Sequence, residues 1–387
     1  MDPQTGGVCQ AVRSIIHGLQ QRGIINEVAC LDHFPKPNYF NDEFEVHAFG
    51  TGKGPWKYNP TLRNWLHSHM SQYDLVIVHG LWQYHTYAVY QASKLKNLNA
   101  PRIFVMPHGM LDPWFQKISV RPVKAIRNWL FWLFAERHLI NSADGLIFTC
   151  EIEKELSRIP FKPYKPHSER VAGLGVHDVP VFQESMSQAF QNKVDINGRP
   201  FYLFLSRISE KKGVDLLIES YTTLCTNWKD LDNPPPVLVI AGPLDSGFAT
   251  RMQSLADEKL RNNALGKIIF AGMLSGEAKW GAFYGCEAFV LPSHQENFGI
   301  AVVEALACGT PVLISNQVNI WKEILADNAA IVARDTLEGT TELFERWTSL
   351  SNTEQLAMKT NAKNCFASRF TIDASSKVFL EQLSYGK

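Results

Sequence analysis

Short apolar runs recur along the chain, each bounded by Gly, Pro, Asn or Asp, and most are followed by a longer stretch with helical spacing of its apolar positions. This alternation predicts parallel strands joined by crossover helices, an α/β protein with doubly wound sheets. After a helix over residues 8–22, strands are predicted near 28–31 and 44–48, at 74–79, from 102 to 109, at 144–149, and in a last piece at 170–176. Residues 180–199 are polar and irregular, and the apolar run at 201–205 restarts the pattern. Further strands follow at 237–240, 268–271, 288–291, 312–314 and 330–332, and the tail from 353 to 383 reads as helices. Two domains are therefore expected, 1–180 and 200–365, with a linker at 181–199. An α/β domain should open on an apolar strand, yet this chain opens in a turn, Met-Asp-Pro-Gln-Thr-Gly-Gly, so a first strand is expected to be missing.

Composition narrows the class. Lys plus Arg number 38 and Asp plus Glu 38, so no overall field points to nucleic acid. Hydrophobic residues make up 45% and charged residues 20%, a globular balance in a chain long enough for two cores. The cysteines, at 9, 30, 150, 225, 286, 308 and 365, include no C-x-x-C pair, which reads as reduced thiols and a cytoplasmic protein. No signal peptide is evident, and no apolar run approaches membrane-spanning length.

Candidate chemistry follows the strands, because ligands in such sheets bind outside the strands' carboxyl ends. The helix between Gly299 and Gly309 is small and apolar on nearly every face, and Glu304 is its only charge. A carboxylate there needs an internal cation or a ligand to satisfy it. Glu296 lies in the loop that feeds this helix, and the Phe298, Gly299 and Ile300 backbone opens it with free N–H groups suited to an anion. Arg207 and Lys212 flank the turn after the 201–205 strand, a planar fork and a compact charge suited to a diphosphate, with Glu210 placed to orient one of them. His79 and His108 end two first-domain strands, either as structural hydrogen-bonders or as site residues. Asp112 suits an acceptor side or a plain turn. Gly6 and Gly7 suit close backbone approach to a ligand. The Asp230-Leu-Asp232 spelling of a cation site lies in a polar loop before prolines and reads as a solvated turn. Residues 121–140 mix Trp and Phe with basic residues. Ile126, Leu130, Leu133 and Phe134 form a helical stripe that reads as a core face, whereas the aromatic and basic mixture also suits a membrane surface or lipid-linked acceptor.

The stretch from Pro292 through Glu296, Asn297, Phe298, Gly299 and Glu304 to Cys308-Gly309-Thr310-Pro311, with its Glu, seven residues, Glu spacing, resembles the retaining GT-B glycosyltransferases of family GT4. The likeness covers almost the whole chain apart from the first strand. It implies two Rossmann-like domains facing across a cleft, hinge closure, and a C-terminal helix from 366 to 387 that packs back towards the first domain. It implies a nucleotide-diphosphate-sugar donor and a saccharide or lipid-linked saccharide acceptor, as in surface polysaccharide assembly, with possible contact at the inner face of the membrane. By the same resemblance Arg207 and Lys212 clamp the diphosphate, and Glu304 accepts from the ribose. Glu296, Asn297 and the 298–300 backbone hold the sugar, Met273 borders the base, Gly6 and Gly7 touch the diphosphate, and His108, within His-Gly-Met-Leu-Asp-Pro-Trp, lies against the transferred sugar. With those cations available, no metal and no cofactor are expected. No carboxylate is an evident covalent nucleophile, which favours front-face attack over double displacement. The alternatives are an inactive or regulatory nucleotide-sugar-binding protein and an epimerase, which would want more acid/base groups. A phosphorylase would carry a lysine-bound pyridoxal cofactor, for which no lysine here is singled out. The nucleotide, UDP, GDP or ADP, is left open.

Overall fold

A computed structural model describes residues 1, 7–32, 42–95, 100–116, 122–230, 232–261 and 263–384. The chain divides into two units, one of Met1–Gly175 with Ile372–Lys387 and one of Val176–Thr371.

In the first unit β1 (Glu27–Cys30) pairs in parallel with β2 (Glu45–Ala48). A separate parallel sheet runs in chain order through β3 (Leu75–His79), β4 (Arg102–Met106), β5 (Gly145–Phe148) and β6 (Glu169–Val171). Ile103, Phe104, Val105 and Met106 are all buried, as expected for a parallel strand covered on both faces. The β3–β4 register sets His79 opposite Met106, so the loops that follow leave the sheet side by side.

The second unit carries β7 (Phe201–Leu205), β8 (Val237–Ala241), β9 (Ile268–Gly272), β10 (Ala288–Leu291), β11 (Val312–Ser315) and β12 (Ala330–Ala333), all parallel, in the order β12-β11-β10-β7-β8-β9. The winding reverses between β7 and β10, which opens a crevice at their carboxyl ends.

Three expectations are corrected. Residues 181–199 are not a bare linker: they hold the helix Glu184–Gln191, which buries Met186 and Phe190. It lies so close to the helix Gly276–Gly285 that a Cβ on Gly281 would sit 2.0 Å from the Met186 carbonyl oxygen. Its polar composition comes from its solvent face. The tail returns to the first unit only from the helix Ile372–Ser384, after a π-turn at Phe366–Phe370. There Arg22 pairs with Asp373 at 2.7 Å, and Arg102 donates to the Leu383 carbonyl at 2.7 Å. Of the predicted core stripe of 121–140 only Leu133 packs against the core, partly buried, while Ile126, Leu130 and Phe134 face away from it. The segment is the helix Pro122–Phe131, a π-turn Trp132–Glu136 and the helix Arg137–Ser142. Ala125, Asn128, Phe131, Trp132 and Ala135 are buried, while Val123, Ile126, Trp129, Leu130 and Phe134 are exposed. Among the described residues no helix is long and apolar enough to cross a membrane.

Candidate functional site

The second unit assembles its site from three loops at the carboxyl ends of β7, β10 and β11. After β7 the chain makes a tight turn over Glu210–Lys212, and Gly213 follows at φ 63°. A Cβ on Gly213 would lie 2.2 Å from the Pro292 carbonyl oxygen, so only glycine lets this turn reach the β10 loop. The Ser293 hydroxyl donates to the Lys211 carbonyl at 3.0 Å, the His294 amide to the same carbonyl at 2.8 Å, and the Ser315 hydroxyl to the Ser293 carbonyl. Glu296 is stitched to the β11 loop, its amide donating to Gln317 and its carbonyl accepting from Asn319, each at 2.9 Å.

This scaffold brings Lys212 and Glu296 together across the point where the winding reverses. The Lys212 ammonium donates to Glu296 Oε2, and both side chains are largely buried. Burial first, then repulsion from Lys211 and Arg207, lowers the Lys212 ammonium to about 7. The touching Glu296 carboxylate opposes that shift, and an ion pair at neutral pH is the direction we hold. Arg207 is exposed, with no hydrogen-bond partner among the described residues. Glu210 does not orient either cation, since it lies in solvent 3.7 Å from Arg251.

Gly299, at φ 78°, starts the helix Ile300–Ala307 with no side-chain cap, leaving its first N–H groups for an anion. Phe298 is buried, edge-on to Phe370 at 5.9 Å. Asn297 accepts from Asn319 at 3.4 Å. Glu304 finds the cation that its apolar helix demanded in Lys279, at 2.7 Å, whose ammonium also lies 4.4 Å from the Trp280 ring centroid. Sequence reading missed Lys279, because nothing local links it to a helix so far along the chain. Met273 is exposed just beyond β9. Asp230 binds its own turn, accepting from Asn233 Nδ2 at 3.0 Å, as a solvated turn does.

In the first unit His79 Nδ1 and His108 Nε2 are hydrogen-bonded at 3.0 Å, with ring centroids 5.3 Å apart. Burial lowers His108 to about 4 and, with the charge of His108 adding to it, takes His79 well below its ordinary value. Both rings are therefore neutral at pH 7, and the proton between them belongs to one ring at a time. Asp112 is buried, and its Oδ1 accepts the Trp114 amide at 2.8 Å, a turn role. Gly7 is the exposed first residue of the helix Gly7–Gln20, not a loop residue, and Gly6 lies outside the described residues. Two more residues were missed: Glu136 and Glu153 are buried carboxyl groups that accept backbone N–H bonds from the loops after β3 and β4. Only Glu153 left a signal, as the acidic residue three beyond the cap Cys150 in the manner of a capping box.

The family described as "Glycosyl transferases group 1" matches residues 186–364, and "Glycosyl transferase 4-like domain" matches residues 6–165. The D-inositol 3-phosphate glycosyltransferase of Gordonia bronchialis is 32% identical over 113 residues, 29% of this chain and 24% of that one. The chain spans less than half the length of the curated relatives it matches. In fold it is similar to sucrose-phosphate synthase from Thermosynechococcus elongatus, with a TM-score of 0.70 at 18% identity over 98% of this chain and 92% of that one. It is also similar to Anabaena Alr3699/HepE, solved in complex with UDP and glucose, with a TM-score of 0.69 at 14% identity over 98% and 96%. The two matched families and the parallel sheet reversing between β7 and β10 agree: the chain has the GT-B fold and belongs to the family 4 glycosyltransferases.

Proposed function

We propose that the protein transfers a sugar from a nucleotide-diphosphate-sugar to a saccharide or lipid-linked saccharide acceptor, with retention of anomeric configuration, in the assembly of a surface polysaccharide or glycan. The observation that carries this reading is the Lys212–Glu296 pair at the β7/β10 reversal, beside the unpartnered Arg207 and the uncapped helix end at Gly299. As the glycosidic bond breaks, negative charge grows on the leaving phosphate. Arg207, Lys212 and the helix end place positive charge where it grows, which stabilises the transition state more than the ground state. Glu296 engages the donor sugar's hydroxyls and Glu304 those of the ribose, while the neutral His108 imidazole serves the transferred sugar. Because these cations neutralise the diphosphate, turnover needs no divalent metal. UDP is the first nucleotide to try, since Alr3699/HepE was solved with it.

The exposed Val123, Ile126, Trp129, Leu130 and Phe134, with Lys124 and Arg127 on the same helix, favour a lipid-linked acceptor. An apolar face flanked by cations suits a bilayer with anionic headgroups, so the protein works at the inner, cytoplasmic face of the membrane.

The test is to supply UDP-α-glucose and other nucleotide sugars with lipid-linked saccharides and to read the new anomeric coupling by NMR. An α-linked product formed equally in EDTA is the expected result. A β-linked product overturns retention, and activity lost in EDTA and restored by magnesium or manganese overturns the metal-free step. No turnover of any nucleotide sugar overturns the reading itself.

A further inference from the structure

Two buried carboxyl groups hold the backbone of the histidine loops. Glu153 Oε1 accepts the Gly109 amide at 2.5 Å, while its Oε2 accepts the Thr149 amide at 2.8 Å and the Thr149 hydroxyl at 2.6 Å. Glu136, fully buried in the π-turn, takes the Trp82 amide at 2.5 Å and the Thr86 hydroxyl at 3.0 Å, both on Oε1, and among the described residues its Oε2 meets no hydrogen-bond partner. The peptides so held are unusual. His108 and Gly109 are successively left-handed, at φ 52° and 77°, and Gly80 and Trp82 are left-handed at 77° and 70°. A bulky side chain at positive φ is strained and persists only where its surroundings over-determine it. A buried carboxyl group is costly in the same way. Both costs fall on the two loops that the His79–His108 hydrogen bond joins, and the Trp82 indole adds a bond to the Met110 carbonyl at 3.3 Å.

We infer that Glu153 is a positioning residue: by holding the Gly109 amide it fixes the His108–Gly109 turn and with it the aim of the His108 imidazole, and Glu136 steadies the loop that carries His79. The two carboxyl groups differ in what they require. Both Glu153 oxygens act as acceptors, so a glutamine must turn its NH2 toward a backbone N–H. Glu136 accepts through one oxygen only, so a glutamine keeps that oxygen and puts its NH2 where nothing is bonded. The kinetic arm of the test rests on the sugar-transfer reading, and the spectroscopic arm does not.

In the full chain with ring-labelled histidine, the His79 and His108 imidazole resonances, assigned through His79→Gln and His108→Gln, are followed by NMR. Melting and steady-state kinetics are measured on the same variants. Glu153→Gln should move both resonances and lower kcat by about 100-fold, the scale of a misplaced catalytic group, with donor KM unchanged. Glu136→Gln keeps the bonded oxygen, so it should move neither resonance, while its buried, unpartnered NH2 should lower Tm. A Glu153→Gln protein that melts earlier but keeps both resonances and kcat overturns the inference. If that variant does not fold, Gly109→Ala strains the same turn with the carboxylate in place. It should shift the His108 resonance, and an unshifted, fully active Gly109→Ala overturns the inference too. If the parent protein turns over no nucleotide sugar, the resonances still decide whether Glu153 positions His108.

Discussion

Glu304 carries both the property that made it legible in the sequence and the contact that sequence could not show. As the lone charge in an apolar helix it had to meet a cation or a ligand, and Lys279 is that cation. The lysine is invisible locally because packing, not sequence proximity, brings the helix Gly276–Gly285 to Ile300–Ala307. The ion pair does not exhaust the carboxylate. Lys279 engages Oε1, and among the described residues no hydrogen bond engages Oε2, which leaves an acceptor for a ribose hydroxyl of the proposed donor. Glu304→Gln should therefore weaken donor binding by about 10- to 150-fold, the worth of a hydrogen bond to a charged group. Because the pair keeps 14% and 22% of its side-chain surfaces exposed, and Lys279 rests on Trp280, the loss of stability should stay near 1 kcal/mol, well below that of breaking a dry pair. Calorimetric titration with the nucleotide donor and a thermal melt of the one variant separate the effects. Donor affinity intact beside a large fall in Tm would make Glu304 a purely structural residue.

Single elements were read well where burial was total and poorly where a helix had two greasy faces. β8 is buried along its whole length, and its apolar run could hardly be anything but a covered strand. The 122–142 segment offers apolar residues on every side, and the π-turn at Trp132–Glu136 shifts the face by one residue midway. A constant period through Ile126, Leu130, Leu133 and Phe134 therefore mixed the faces, with Leu133 on the core and the other three exposed. The exposed side makes a prediction of its own. Trp129→Ser with Phe134→Ser removes side chains 53% and 72% exposed, so Tm should hold, while co-sedimentation with phosphatidylglycerol vesicles should fall sharply. Parent binding should also weaken with salt, because Lys124 and Arg127 contribute through charge. Vesicle binding that survives the double substitution would move the membrane contact elsewhere.

For the whole molecule, the run of strands was legible because each buried strand announces itself, but the division of the chain was not. The second unit begins at Val176 and ends at Thr371, and the two are bridged side by side, the Val176 amide donating to the Phe370 carbonyl at 2.8 Å. Nothing in a polar stretch says whether it spans domains or, like Glu184–Gln191, packs on one. The tail's role rests on Gly18, where a Cβ would come within 2.6 Å of Ser376 Cβ, so the helices Gly7–Gln20 and Ile372–Ser384 meet only because that side chain is missing. Gly18→Val should push the tail helix away at a cost of about 1–3 kcal/mol, as overpacking a tight contact does. A two-unit chain need not melt as one. Differential scanning calorimetry with saturating nucleotide should then show the transition of the first unit lowered and the nucleotide-stabilised transition of the second in place. If Gly18→Val instead lowers a single transition that carries all of the heat, the two units do not melt separately and the expectation fails.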